Sequence, residues 1–290
     1  MIKIQEGCDQ ICAYCIVPKV RGRERSIPPN EIISQINDRF ESGCQEVVLT
    51  GTQLGTYGFD LPEITLAGLL QQILAATDIK RLRISSLQAQ EISPDLLELW
   101  DDIRLCPHFH IPLQSGSNTI LKSMRRRYNT HQFKETVKMV RKTLPGAGIT
   151  TDIIVGFPEE GAKEFAESYS FAASMRFSDM HVFPYSVRPG TSAAYLNNQV
   201  VDTKKKERTG EMLELAAMAM REFRQESIGQ VRPVLWEPAK NNKVGHVWSG
   251  LTDNYLRVKA NINVEVSNTL TDTRLTGRDG DWMTGEMVLH

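Results

Sequence analysis

From the N-terminus to about residue 190, short β-rich runs alternate with longer segments of helical spacing. Lys3 to Glu6, Glu46 to Thr50, Arg81 to Ser85, His108 to Pro112, Ile149 to Val155 and Asp179 to Phe183 read as strands. Between the first two, Ile32, Ile33, Ile36 and Phe40 recur at helical intervals after Pro28 and Pro29, with Asn30 as the predicted N-cap. Leu66, Leu69, Leu70, Ile73 and Leu74 form a second apolar face, and Phe133, Val137 and Val140 a third. Strands that alternate with helices in this way predict a parallel sheet with crossover connections. A closed eight-unit barrel takes about 250 residues, so the expected fold is α/β, an open partial (β/α)6 barrel.

Residues 203–228 predict one long helix that opens with Lys204, Lys205 and Lys206 and carries Met212, Leu215, Ala216, Ala219 and Phe223 on one face. After Gly229 the pattern changes to short alternating runs: Val231 to Trp236, Lys243 to Trp248, Asn254 to Val258, Val264 to Val266 and Thr284 to Leu289. These predict a small all-β barrel, OB-like in size. The expected division is 1–226 and 227–290, with the boundary near Ser227.

At 290 residues, 41% hydrophobic and 24% charged, the chain has the composition of a globular protein rather than a disordered or disulfide-stapled one. No run approaches the roughly 18 apolar residues of a spanning helix, and no signal-peptide core opens the chain. No membrane association is expected, and a cytoplasmic location is. Because 34 basic side chains face 35 acidic ones, any attraction for nucleic acid must come from local patches.

Three of the five cysteines, Cys8, Cys12 and Cys15, form the spacing CxxxCxxC in a polar loop after the first strand. Three ligands are one short of a closed structural zinc site. Three thiolates on a short loop suit an iron–sulfur cluster with one iron left open for chemistry. Cys44, leading into the second strand, and Cys106, ending a helix, read as structural, and the six histidines show no spacing that would build a second metal site. Each strand also runs into a polar, Gly-rich turn: Gly7-Cys8, Thr50-Gly51-Thr52-Gln53, Ser85-Ser86, Pro112 to Gly116, Gly156 to Glu159 and Pro184 to Ser186. In barrels of this kind the working residues sit at those C-terminal strand ends.

The cysteine motif, with Tyr14 just before its third cysteine, resembles that of the radical S-adenosylmethionine enzymes. The stretches Glu46 to Gly51, Leu54 to Gly58, His110 to Ser117, Met124 to Tyr128 and Thr150 to Pro158 resemble one branch, the methylthiotransferases that modify tRNA or a ribosomal protein. Leu49-Thr50-Gly51 is most similar to the subgroup acting on N6-threonylcarbamoyladenosine beside the anticodon. Gly250 to Tyr255 resembles the family's RNA-binding TRAM module. The resemblance implies that Cys8, Cys12 and Cys15 are the catalytic, metal-ligating residues of one [4Fe-4S] cluster, and that S-adenosyl-L-methionine binds its open iron. It also implies that Tyr14 flanks the adenine, Gly51, Thr52 and Gln53 lie near the methionyl end, Gln114 and Ser115 approach the ribose, and Ile154 and Gly156 back the adenine. Arg125 to Arg127 could hold the carboxylate.

Family members carry an N-terminal domain with a second cluster thought to deliver sulfur, whereas seven residues precede Cys8 here. The expectation is a truncated form with one cluster, needing a separate sulfur-donor domain or protein and an electron donor such as flavodoxin or ferredoxin. The expected partner is the anticodon stem-loop of tRNA, met by Lys19, Arg21, Arg23, Arg25, Arg125 to Arg127 and Lys204 to Lys206. From Glu226 onward seven basic residues face eight acidic ones, so the tail is not a basic patch, and Trp236, Trp248, Tyr255 and Trp282 read as core before stacking platforms. The alternatives are an RNA-binding protein with a structural or vestigial cluster, and a methylthiotransferase for isopentenyladenosine tRNA or a ribosomal protein.

Overall fold

The computed structural model describes residues 1–238 and 247–288. The chain opens with β1 (Ile2–Lys3) and β2 (Gln5–Glu6), then passes through the cysteine loop into α1 (Val17–Val20) and β3 (Arg25–Ser26). The single predicted strand over Lys3 to Glu6 is therefore split at Ile4. That residue is fully buried, its N–H bonds to Thr50 O, and its carbonyl accepts from Ile27. The chain thus changes partners there, from the barrel sheet to an antiparallel β2–β3 ribbon that closes under the cysteine loop.

Alternating elements follow: α2 (Pro29–Glu41), β4 (Glu46–Thr50), α3 (Leu66–Ala76), β5 (Arg81–Ile84), α4 (Pro94–Glu98) and β6 (His108–His110), then α5 (Asn118–Ser123), α6 (Thr130–Thr143), β7 (Gly148–Val155), α7 (Ala162–Met175) and β8 (Asp179–Pro184). The strands pair in parallel as β1-β4-β5 and β6-β7-β8. The two sheets meet where Leu82 bridges Leu105 just ahead of β6. This is the open six-stranded partial barrel that the alternation predicts.

The helices bury the faces read from sequence. Ile32 and Ile36 of α2, Leu69, Leu70 and Ile73 of α3, and Phe133, Val137 and Val140 of α6 are all inside, each aliphatic side chain contributing about 1.5–3 kcal/mol. Asn30 is not the N-cap. Pro28 holds that position and Pro29 is the first helical residue, where a missing N–H leaves no hydrogen bond unmade. Thr65 and Asn129 cap α3 and α6 through their side chains. Cys106 does not end a helix: its N–H bonds to Leu82 O in the extended segment entering β6, and its carbonyl accepts from the Trp100 indole.

Helix α8 (Asp202–Glu226) runs from one unit to the other, with Met212, Leu215 and Ala216 in the main core and Phe223 against the tail core. The tail strands β9 (Val231–Trp236), β10 (Val247–Thr252), β11 (Arg257–Asn261), β12 (Leu270–Asp279) and β13 (Trp282–Met287) close into a barrel in the order β10-β11-β13-β12-β9. Of the predicted run Lys243 to Trp248, residues 243–246 lie outside the described residues, as does Leu289 of the last run. The run from Asn254 begins as a turn, with Thr252 N–H bonded to Leu256 O and Tyr255 at φ 78, so the strand starts at Arg257. Val264 to Val266 is not a strand; Val266 turns into the barrel core instead. The longest tail strand, β12, escaped prediction because its inward positions include Thr273 as well as Leu275, which dilutes the hydrophobic alternation. Trp236 and Trp248 are core, whereas Tyr255 and Trp282 are not.

The tail docks on the N-terminal ends of the barrel strands. Arg81 and Arg83, both buried on β5, donate to the carbonyls of Leu251, Thr252 and Asp253 and pair with Glu46 at the start of β4. Asn254 donates to Gly146 O, and its own carbonyl sits so close to Gly148 that a Cβ there would lie 2.3 Å away. Tyr255 stacks on His108 at a centroid distance of 4.4 Å.

Candidate active site at the C-terminal strand ends

The opposite end of the barrel holds the cysteine loop. Gly7 adopts φ +74, and a Cβ on it would lie 1.9 Å from Arg23 O, so the loop can turn beside the β2–β3 ribbon only with glycine there. Cys8 N–H bonds to Gly22 O, Asp9 pairs with Arg23, and Glu24 accepts from Asp9 N–H. On the far side Ala13 donates to Met124 O and accepts from Ala193 N–H. Anchored at both ends, the loop presents Cys8, Cys12 and Cys15 to one cavity of about 160 Å³. None of the three forms a disulfide. Burial pushes the Cys8 thiol up to about 11, opposed by the hydrogen bond from Gln10 N–H.

The rest of the cavity wall comes from the strand ends. Thr52 and Gln53 follow β4, and their N–H groups both donate to Gln5 Oε1 at 2.9 Å. Gln53 bonds through its amide to Glu91 and to Gln88, the latter at 2.6 Å, while Glu91 accepts from Gln88 N–H. Burial raises the Glu91 carboxyl above its ordinary range, against the pull of that N–H and of Arg126. Gln114, beyond β6, lines the cavity with φ 65, a left-handed conformation uncommon for a residue with a side chain. Arg126 places Nη1 3.3 Å from Cys12 Sγ and Nη2 2.9 Å from Gln88 Oε1, and its guanidinium stacks on Tyr128, whose hydroxyl is fixed by the carbonyls of Pro112 and Leu113.

Of the residues singled out from sequence, Cys8, Cys12, Cys15, Tyr14, Thr52, Gln53 and Gln114 line this cavity. Gly51, Ser115, Ile154 and Gly156 do not. A Cβ on Gly51 would meet Leu54 and Gln5; Ser115 is fully buried and accepts from Ser117 N–H; Ile154, like Tyr14, packs against the small core cluster that holds Ala13 and Phe157; and Gly156 lies against Lys205. Of the Arg125 to Arg127 run only Arg126 reaches the cavity, while Arg125 and Arg127 are exposed. Gln88 and Glu91 were missed, because a Gln–Glu pair three apart reads as a helix-capping box, which it also is. β6, β7 and β8 also bring His110, Asp152 and His181 together despite their separation in sequence.

The donor set fits an iron–sulfur cluster: three thiols from one anchored loop, with a guanidinium beside one of them and amides opposite. The polar wall of Gln53, Gln88, Glu91 and Arg126 offers both acceptors and donors, as the zwitterionic end of an amino acid requires.

Residues 2–172 match the radical SAM superfamily, and the chain belongs to it. Similar proteins include the threonylcarbamoyladenosine tRNA methylthiotransferase MtaB of Bacillus subtilis, 40% identical over 89% of this chain and 58% of its own length. The MtaB of Aquifex aeolicus is 38% identical over 89% and 61%, and the tRNA-2-methylthio-N(6)-dimethylallyladenosine synthase of Syntrophotalea carbinolica 34% over 95% and 63%. The chain therefore spans less than two thirds of the length of these relatives. Among solved structures, the radical S-adenosylmethionine methyltransferase TsrM of Kitasatospora setae, with cobalamin and a [4Fe-4S] cluster bound, superposes with a TM-score of 0.56 at 14% identity over 67% of this chain and 38% of that one. The coproporphyrinogen III oxidase HemN of Escherichia coli gives 0.54 at 12% over 87% and 65%. At such identities these two share the fold.

Proposed function

We propose that this chain is the radical and RNA-binding portion of a tRNA methylthiotransferase acting at C2 of N6-threonylcarbamoyladenosine beside the anticodon. The observation that carries this reading is the convergence of Cys8, Cys12 and Cys15 with Arg126 and the Gln53–Gln88–Glu91 network on one cavity at the C-terminal strand ends. Cys8, Cys12 and Cys15 would hold a [4Fe-4S] cluster. When bound, the cluster and S-adenosyl-L-methionine supply a carbon-centred radical that takes a hydrogen atom.

The chain's own residues position and shield. Arg126 donates toward the carboxylate of the methionyl end, and Glu91 and Gln53 accept from its ammonium group. Tyr14 flanks the adenine, and Ile154, which packs against the same core cluster as Tyr14, backs it with Gly156. Residues 1–226 form the radical unit. Residues 227–290 form a TRAM-like unit that contacts the anticodon stem-loop. Cys44 and Cys106 lie near the opposite ends of the strands, which supports a reading in which a separate donor domain or protein supplies the sulfur and a flavodoxin or ferredoxin the electron. The 34–40% identity to tRNA methylthiotransferases supports this substrate class.

Anaerobic reconstitution should load about four irons per chain, and replacing any of the three loop cysteines by Ala should abolish this. Reduced, cluster-loaded protein should convert S-adenosyl-L-methionine to 5′-deoxyadenosine; an intact cluster without that product would leave the RNA-binding alternative standing. Given a sulfur donor, a stem-loop carrying threonylcarbamoyladenosine should be modified in preference to one carrying isopentenyladenosine.

A further inference from the structure

Away from the cysteine cavity, three neighbouring parallel strands present a second set of ligand atoms. His110 ends β6, Asp152 lies in β7 and His181 in β8. Asp152 stands directly opposite His181 in the ladder, and His110 opposite Thr150, two positions back on the same face of β7. Asp152 Oδ2 lies 3.2 Å from His110 Nε2, and Oδ1 lies 3.2 Å from His181 Nδ1. All three ligand atoms fall within 4.8 Å of one another.

We propose that His110, Asp152 and His181 bind a divalent first-row transition metal ion, of the zinc or iron(II) class, with an open coordination position. A tetrahedral ion with ligand bonds of about 2.0–2.1 Å spaces its ligand atoms about 3.3 Å apart. Each imidazole lies 3.2 Å from one oxygen of the Asp152 carboxylate, close to that spacing, and His181 is half exposed and free to adjust. Two imidazoles and one carboxylate leave a position for water or an oxygen ligand, as catalytic rather than structural sites do.

Two further features suit a metal. A ligating imidazole normally bonds through its other nitrogen to an outer partner, and His110 Nδ1 lies 2.9 Å from Thr150 Oγ1, which continues to His108 Nε2 at 3.3 Å. The site also has an open side: His181 and Thr150 line a cavity of about 530 Å³ whose other wall includes Tyr255 and Trp282 of the tail barrel, with His110 and Asp152 set behind them. The backbone of Gln114, in the cysteine cavity, bonds directly to Asp152 O at 2.8 Å. The site thus lies one step along the strands from the proposed radical centre, and it is independent of that proposal.

The test uses cluster-loaded protein, so that the loop cysteines are already occupied, dialysed against zinc and analysed for metal. The expected result is about one zinc per chain beyond the cluster iron. In the Cys8→Ser, Cys12→Ser, Cys15→Ser chain, cobalt(II) should give visible bands without sulfur charge transfer. Because loss of an outer partner alone lowers affinity roughly 10- to 100-fold, Thr150→Val should cost about tenfold, and His181→Ala and Asp152→Asn about a hundredfold or more. His181 is half exposed, so its replacement leaves the fold intact. Zinc should raise the Tm of the parent chain and leave that of His181→Ala unmoved. Absence of stoichiometric zinc, or zinc uptake unaffected by His181→Ala, overturns the proposal and leaves an Asp–His hydrogen-bond cluster, whether or not 5′-deoxyadenosine is formed.

Discussion

Arg126 Nη1 lies 3.3 Å from the Sγ of Cys12, across 114 positions of sequence. The same guanidinium reaches Gln88 and stacks on Tyr128, so one planar fork ties the cysteine loop to two strand ends. Hydrogen bonds from a charged group are worth about 1.5–3 kcal/mol. Arg126→Ala should therefore retain about four irons but weaken S-adenosyl-L-methionine binding roughly 10- to 100-fold, measured by anaerobic equilibrium dialysis. Arg126→Lys should recover only part of the loss, because a single ammonium cannot bridge in two directions.

Gly7 and Gly22 both have positive φ, but only Gly7 lacks room for a side chain, since nothing lies within 4 Å of a Cβ on Gly22. Gly22→Ala should cost about 1–2 kcal/mol for the left-handed backbone alone. Gly7→Ala must in addition displace the Arg23 carbonyl. Its iron content after reconstitution should fall well below that of Gly22→Ala; equal loading would show that the loop can turn without glycine at position 7.

The tail is held to the barrel by buried charge. Removing one partner of such a pair costs about 3–5 kcal/mol. Arg83→Ala should lower stability by that order in urea denaturation, by leaving Glu46 less compensated and the carbonyl of Asp253 without its Arg83 donor, while Thr252 O keeps Arg81. The cysteine cavity is at the other end of the strands, so iron loading of the folded fraction should not change.

Tyr57 is buried and donates its hydroxyl to Ile27 O at 2.6 Å. Burial, reinforced by the nearby Asp60 charge, pushes the phenol from 10.0 up to about 12. A folded-state value above the unfolded one means that its contribution is whole below pH 10 and is lost as pH rises toward 12. Tyr57→Phe should cost about 1 kcal/mol at neutral pH, and its stability should fall less steeply than the parent's over that alkaline interval. Parallel pH curves would contradict the assignment.

Arg21, Arg23 and Arg25 lie exposed on the ribbon beside the cysteine loop. Arg23 and Arg25 pair with Asp9 and Glu6, but pairs this exposed are worth little and remain open to phosphate. Replacing all three by Gln should weaken stem-loop binding and reduce the salt slope by about 0.7–0.9 for each phosphate no longer neutralised. Binding unchanged across a salt titration would remove the patch from the proposed interface.

The sequence by itself determined the alternation of strands and helices, the buried faces of α2, α3, α6 and α8, and the cysteine loop with its place at the head of the barrel. Those features are local: they depend on periodicity, on capping residues, or on a motif only eight residues long. Only the tertiary structure decided which strand ends converge. It brought Arg126 to Cys12, put Gln88 and Glu91 into the cavity, and left Ser115, Ile154 and Gly156 outside that cavity's wall. It likewise gathered His110, Asp152 and His181, which share no sequence spacing because parallel strands bring together residues separated by whole crossover helices. β12 was invisible for a related reason: a strand in a small closed barrel can fill an inward position with a hydrogen-bonded threonine, so its burial is fixed by its neighbours rather than by its own pattern.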